Sequence, residues 1–260
     1  MPILGIMASS KLGAPTSPVA GYTAWFDAAD TATITVSGSA VSQWNDKSAN
    51  AYNLTQGTAA NRPLSGTRTI NSKNVIDFDG TNDFLIASTA SNWTFLNNST
   101  GSSSFIVLFS DTTSNTGFIA STAGGSSGNI GLDWIRNGSD DLVRVFVRNS
   151  GLGGAVGSLD QGLLTDNTAV YYTMLLTPNN GTTADRAISR VNGGAEIKNN
   201  SVSNSPNNGT PTQALVLGAA DNAGSAAFDG TIGEVIFYNS VLSATDRALN
   251  ESYLKNKWGL

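Results

Sequence analysis

Asp77, Asp79 and Asp83 crowd one short stretch of the chain, with Asn82 among them. Asp77 and Asp79 are two positions apart, so a strand carries both on one face. Glycoside hydrolysis uses such a pair, with two carboxyl groups about 5–9.5 Å apart flanking the scissile bond. The same three aspartates, with Asn82 and backbone carbonyls, offer calcium a set of hard oxygen ligands. Their spacing is not that of an EF-hand loop, and aspartate at a turn is equally well explained by bonds to nearby backbone amides. No other cofactor is expected. Trp134, with Arg136 beside it, is the candidate sugar-binding pair, because glycan sites combine an aromatic surface with a few polar groups. Core burial is the competing reading for Trp134 and for Trp93. Arg136, Arg144 and Arg148 read either as a cationic stripe that meets a neighbour or as the charged outer face of a sheet. The chain has no histidine and no cysteine. It therefore lacks the commonest general base, the thiol nucleophile and the thiolate metal site. Catalysis is not expected.

The elements that must hold these residues are mostly strands. From Asn74 to Ile86 the chain reads N-V-I-D-F-D-G-T-N-D-F-L-I. Two apolar arms flank Asp79-Gly80-Thr81-Asn82, which predicts a β-hairpin with a polar tip. Short strands are expected at Phe105–Ser110, Gly117–Ser121, Ile130–Arg136 and Leu142–Arg148. Others follow at Val170–Thr177, Ala187–Val191, Ala214–Leu217 and Thr231–Tyr238. In one of them Val143, Val145 and Val147 alternate with Arg144, Phe146 and Arg148. Val191-Asn192-Gly193-Gly194-Ala195 signals a tight turn. Ser243-Ala244-Thr245-Asp246 can cap a helix, with Leu249, Tyr253, Leu254 and Trp258 along one side and Gly259 at its end.

Composition supports that outline. Charged residues are 13% of the 260, about half the roughly 25% usual in globular proteins. Small polar residues and turns replace salt-bridged helices, which favours an all-β chain. The formal net charge is −5 with no basic cluster, so nucleic acid and anionic membranes are not expected partners. No run approaches the ~20 apolar residues that span a bilayer. Residues 1–20 stand apart. Ile3, Leu4, Ile6 and Met7 form an apolar patch before a linker rich in Gly and Pro. Burying each such side chain is worth roughly 1.5–3 kcal/mol. These residues are therefore the candidate partner-binding set, a self-packed or frayed tail being the alternative.

The order "W-x-D-A-x-D … V-x-x-W-x-D-K-S … F-D-G-x-x-D" over Trp25–Asp83 resembles the front half of concanavalin A-like, laminin G-like jelly rolls. From Phe228 to Leu260 the chain is similar to their closing strand and helix, "F-x-G-x-I-x-E-(V/I)-I-(F/V)-Y…Y-L-x-x-K-W-G". The resemblance implies an all-β jelly-roll sandwich with a short C-terminal helix over residues 21–260, preceded by an extended anchoring arm, residues 1–20. Some relatives of this fold are glucanases, which place Glu-x-Asp-x-x-Glu on one strand. Glu196, Glu234 and Glu251 lie in no such motif, so the resemblance does not carry that activity here.

The opening M-P-I-L-G-I-M-A-S-S-K-L-G resembles the start of many bacteriophage structural proteins. It has no cationic segment of the kind that begins an export signal. The expectation is a virion protein of the capsid-decoration or head-fibre type, assembled in host cytoplasm and displayed on the particle surface. Its expected partners are other capsid or tail proteins, copies of itself on the particle, and a host-surface glycan. The alternatives are a tail-fibre adhesin and a free carbohydrate-binding module.

Overall fold

The computed structural model describes residues 14–111, 116–138, 142–149, 155–156, 165–198 and 207–260. The first strands are β1 Ala24–Asp27, β2 Ile34–Ser37, β3 Ala40–Trp44, β4 Leu54–Thr55, β5 Leu64–Ile70, β6 Lys73–Asp79 and β7 Leu85–Ile86. After them come β8 Ser102–Ser110, β9 Gly117–Ser121, β10 Ile130–Arg136, β11 Val143–Asn149, β12 Ala155–Val156 and β13 Ala169–Leu176. The set ends with β14 Ala187–Val191, β15 Ile197–Lys198, β16 Val216–Leu217, β17 Asp229–Tyr238 and the helix α1 Ala244–Trp258.

Every ladder between these strands is antiparallel, and the pairings divide the sheet into two layers. The first layer runs β15-β14-β13-β8-β17, with β1 and β6 side by side along the far edge of β17 and β5 beyond β6. The second runs β12-β11-β10-β9-β16-β7-β4-β3-β2. A single pairing of Ala40 with Leu64 joins them. The main core lies between the layers. Phe26, Ile76, Ile106, Leu108, Tyr172 and Phe237 face Trp44, Leu54, Leu132, Trp134, Val145 and Leu217 across it. This is the all-β sandwich expected from the strand pattern.

The turn at Asp79–Asn82 does not close a hairpin. β6 pairs with β5 and β17, whereas β7 pairs with β4 and β16. The turn therefore carries the chain from one layer to the other. Its local chemistry is as expected: Asp79 Oδ1 accepts from the Thr81 N–H at 2.8 Å. Gly80 has φ +69°, and a Cβ there would meet Asp229 Cβ at 2.7 Å. Turn residues set that local path, while each arm takes one partner from an earlier strand and one from a strand more than a hundred residues further along.

The helix covers the outer face of the first layer. Ser243 Oγ accepts from the Asp246 N–H at 3.1 Å, and Gly259, at φ +69°, ends the helix with its N–H on the Lys255 carbonyl. Tyr253, Leu254 and Trp258 pack on Phe105, Val107, Ile236 and Tyr238. Leu249, expected on that side, is 39% exposed. Asn250 is buried instead, exchanging bonds with Tyr238 Oη and accepting from the Val19 N–H at 2.8 Å. Beneath the helix lies Glu234. Its Oε1 accepts from Trp25 Nε1 and Tyr253 Oη, each at 2.7 Å. Its Oε2 accepts from Trp258 Nε1 at 2.7 Å and Lys257 Nζ at 2.8 Å. Lys257 also meets Asp27 at 2.6 Å, and Lys47 joins Asp27 to Asp30. Burial pushes the Glu234 carboxyl above its ordinary range, against the pull of Lys257.

Removing one member of a buried, fully bonded charge network leaves the others desolvated and unpaired. Glu234→Ala is therefore expected to cost about 3–5 kcal/mol in urea unfolding. A loss below about 1 kcal/mol, the scale of an exposed pair, would contradict the role given to Glu234.

Candidate functional site

Strands β10 and β11 build the candidate site on the outer face of the second layer. Their register pairs Gly131 with Arg148, Asp133 with Phe146, and Ile135 with Arg144. Directly opposed residues share a face. Since Val143, Val145 and Val147 point into the core, these three pairs point away from it. Asp133 is fully buried all the same. Its Oδ1 accepts from Ser121 Oγ at 2.8 Å and from the Gly125 N–H at 3.3 Å. Its Oδ2 accepts from Arg148 Nε at 2.7 Å. The loop after β9 is pinned to the same group, because Ser121 Oγ accepts from the Gly124 N–H at 2.9 Å.

Arg148 is thereby fixed in place. Its guanidinium lies 4.6 Å from the centroid of the half-buried Phe146 ring. Phe146 in turn packs on Phe118, Ile135 and Ala220. Opposite Arg148, Gly131 has φ +140°, and a Cβ there would sit 2.6 Å from Thr122. The strand passes too close to Thr122 for any side chain at that position. Chemically this is a binding arrangement: an oriented cation, a partly exposed aromatic ring and a buried carboxylate that anchors the cation.

The candidate ligand residues read from the sequence are corrected. Trp134 is 1% exposed and packs against Tyr172 with ring centroids 5.5 Å apart. Arg136 is also 1% exposed and pairs with Asp166 at 2.7 Å. Their register partners are Val145 and Val143, so both residues face inward. Arg144 and Arg148 do share the outer face, but Arg136 does not join them. Phe146 and Arg148 were visible in the alternation of β11. Asp133 was not, because it enters only through cross-strand register. The apolar residues Ile3, Leu4, Ile6 and Met7 lie outside the described residues.

The three aspartates read as carboxylate pair and calcium ligands are each engaged in the fold. Asp77 meets Arg68 at 3.1 Å, and Arg68 also binds Asp111. Asp79 holds the turn, and Asp83 Oδ2 accepts from the Asp79 N–H at 3.2 Å. Among the described residues, no group of three or more acidic side chains is arranged to hold a metal ion. Asp83 is the most perturbed of them. Burial, and then the charge of Asp79, push its carboxyl up to about 6.

No family model and no curated protein matches the chain. Solved structures do. Trypanosoma rangeli sialidase, as a covalent intermediate with 2,3-difluorosialic acid, superposes with a TM-score of 0.60 at 16% identity, covering 98% of this chain and 36% of the sialidase. The same sialidase in complex with sialic acid gives 0.55 at 13% identity, over 92% of this chain and 34% of that one. An arabinofuranosidase complexed with arabinofuranosyl-alpha-1,2-xylobiose gives 0.56 at 14% identity, over 83% and 50%. The chain thus spans about a third of the length of the sialidases it matches. At these identities the likeness is one of fold, and the fold is an all-β jelly-roll sandwich.

Two expectations are corrected by these neighbours. The sialidase and the arabinofuranosidase that share the fold over most of this chain are glycoside hydrolases, which overturns the expected capsid-decoration, head-fibre or tail-fibre role. The same matches overturn the expectation that the chain is not an enzyme, because these neighbours are themselves glycoside hydrolases.

Asp83 gives the fold a pH signature. Its folded pKa of about 6 lies above the ordinary carboxylate value of about 4, so folding takes up a proton between the two. The stability this group contributes is full below about pH 4 and is lost as the pH rises through about 6. Asp83→Asn removes the titration. Relative to the parent, the variant is expected to gain roughly 1–3 kcal/mol between pH 4 and pH 7, at about 1.4 kcal/mol per pKa unit. Urea midpoints at both pH values measure this, and a pH-independent difference would contradict it.

Proposed function

We propose that this chain is a carbohydrate-binding β-sandwich serving glycoside hydrolysis, with glycan held on the outer face of the second layer. The observation that carries the reading is Arg148, held by buried Asp133 against the ring of Phe146. Sugars present apolar C–H faces and hydroxyl edges, so their sites pair an aromatic surface with a few fixed polar groups. Phe146 supplies the first and Arg148 the second. A planar, fixed guanidinium loses little side-chain entropy on binding, which favours affinity from a small contact area. The opposite face of the sandwich is occupied by its own helix, with Tyr253, Leu254 and Trp258 packed against it. The fold shared with sialidases and an arabinofuranosidase agrees with a role in glycan processing.

Calorimetric titration with a panel of oligosaccharides tests this. At least one glycan class is expected to bind, and Phe146→Ala is expected to weaken it by tenfold or more, about 1.4 kcal/mol. Leu249→Ala, on the exposed side of the helix, is expected to leave binding unchanged. Binding untouched by Phe146→Ala but lost in Leu249→Ala would place the site elsewhere.

A further inference from the structure

Beyond glycan binding as such, the geometry points to one ligand class: we propose that Arg148 receives the carboxylate of an acidic sugar. This rests on the carbohydrate reading above. A guanidinium carries five N–H donors and no acceptor. The Nε–H is spent on Asp133, and among the described residues the two terminal nitrogens make no hydrogen bond. What remains is an outward pair of parallel donors, and the group that meets both must offer two acceptors in one plane. A carboxylate does so in the fork geometry that arginine matches best. A single hydroxyl engages one donor and leaves the other unmet.

Burial sharpens the preference. The Arg148 side chain is 13% exposed, and a charge pair partly removed from water interacts more strongly than an exposed one. Asp133 does not supply the missing acceptor. One of its oxygens is engaged by Ser121 and Gly125 and the other by Nε. It acts as a positioning residue that fixes the plane of the guanidinium, with Phe146 beneath. A sulfate ester shares the negative charge, but its oxygens are tetrahedral and match a planar fork less well.

The test uses the full chain and oligosaccharides ending in a uronic or a sialic acid. Each is titrated as the free acid and as its methyl ester, beside a sulfated oligosaccharide. At least one free acid is expected to bind ten times more tightly than its own ester, with affinity falling as salt rises. Arg148→Gln combined with Asp133→Asn removes the buried pair as a unit. With folding confirmed by near-ultraviolet circular dichroism, this variant is expected to bind acid and ester alike, and Arg148→Lys to retain only part of the preference. Equal binding of acid and ester by the parent protein would overturn the inference and leave glycan binding standing. Tighter binding of the sulfated ligand would overturn the carboxylate assignment. Binding of no oligosaccharide at all would overturn both.

Discussion

Glu234 lies under the C-terminal helix, out of reach of solvent, with two tryptophans, a tyrosine and a lysine donating to its two oxygens. A carboxylate so placed is tolerable only when every lone pair facing the protein is met. The donors come from distant parts of the chain. Trp25 stands on the first strand, Tyr253, Lys257 and Trp258 stand on the helix, and Glu234 itself is on the closing strand. Lys47 extends the network by joining Asp27 to Asp30. The two ends of the sandwich can be brought together in few ways that satisfy all of these groups at once. In this account the network selects the fold's closure more than it adds to its stability, since buried charges are costly to assemble.

The consequence for function is a matter of which face is left. With the helix locked over the first layer, that outer face belongs to the protein's own packing. The second layer turns its outer face away from the core, and among the described residues no α-helix lies over it. There the polar groups are arranged differently. Asp133 is as buried as Glu234, but among the described residues its network stops at Arg148. One buried carboxylate thus closes a structure, and the other aims a cation outward. The turn at Asp79–Asn82 links the two layers.

Much of the fold was legible because its signals are local. The alternation of Val143, Val145 and Val147 with Arg144, Phe146 and Arg148 set both the strand and its faces. Ser243 and Gly259 marked the helix ends. The "W-x-D … D-K-S … E-V-I … K-W-G" wording pointed to a jelly roll, and the structure gives its physical reason, since Trp25, Asp27, Asp30, Lys47, Glu234, Lys257 and Trp258 form one connected network. What the sequence hid was non-local. Asp79-Gly80-Thr81-Asn82 has the same chemistry whether it closes a hairpin or crosses between layers. Leu249 and Asn250 differ by one helical step, and only the contact of Asn250 with Tyr238 and Val19 decides which is buried. Trp134 and Arg136 drew attention as a sugar-binding pair, yet their register with Val145 and Val143 turns both inward and leaves Asp133 on the outer face.

We propose that this protein meets its ligand on the outer face of β10 and β11, organised by Asp133 and Arg148. Backbone amide shifts, followed by heteronuclear NMR as an acidic oligosaccharide is titrated in, test it most directly. The account predicts shifts confined to Ser121–Gly125, Asp133 and Phe146–Arg148, with α1 and the Asp79–Asn82 turn silent. Shifts that cluster on the helix or on that turn, with β10 and β11 unmoved, would contradict it.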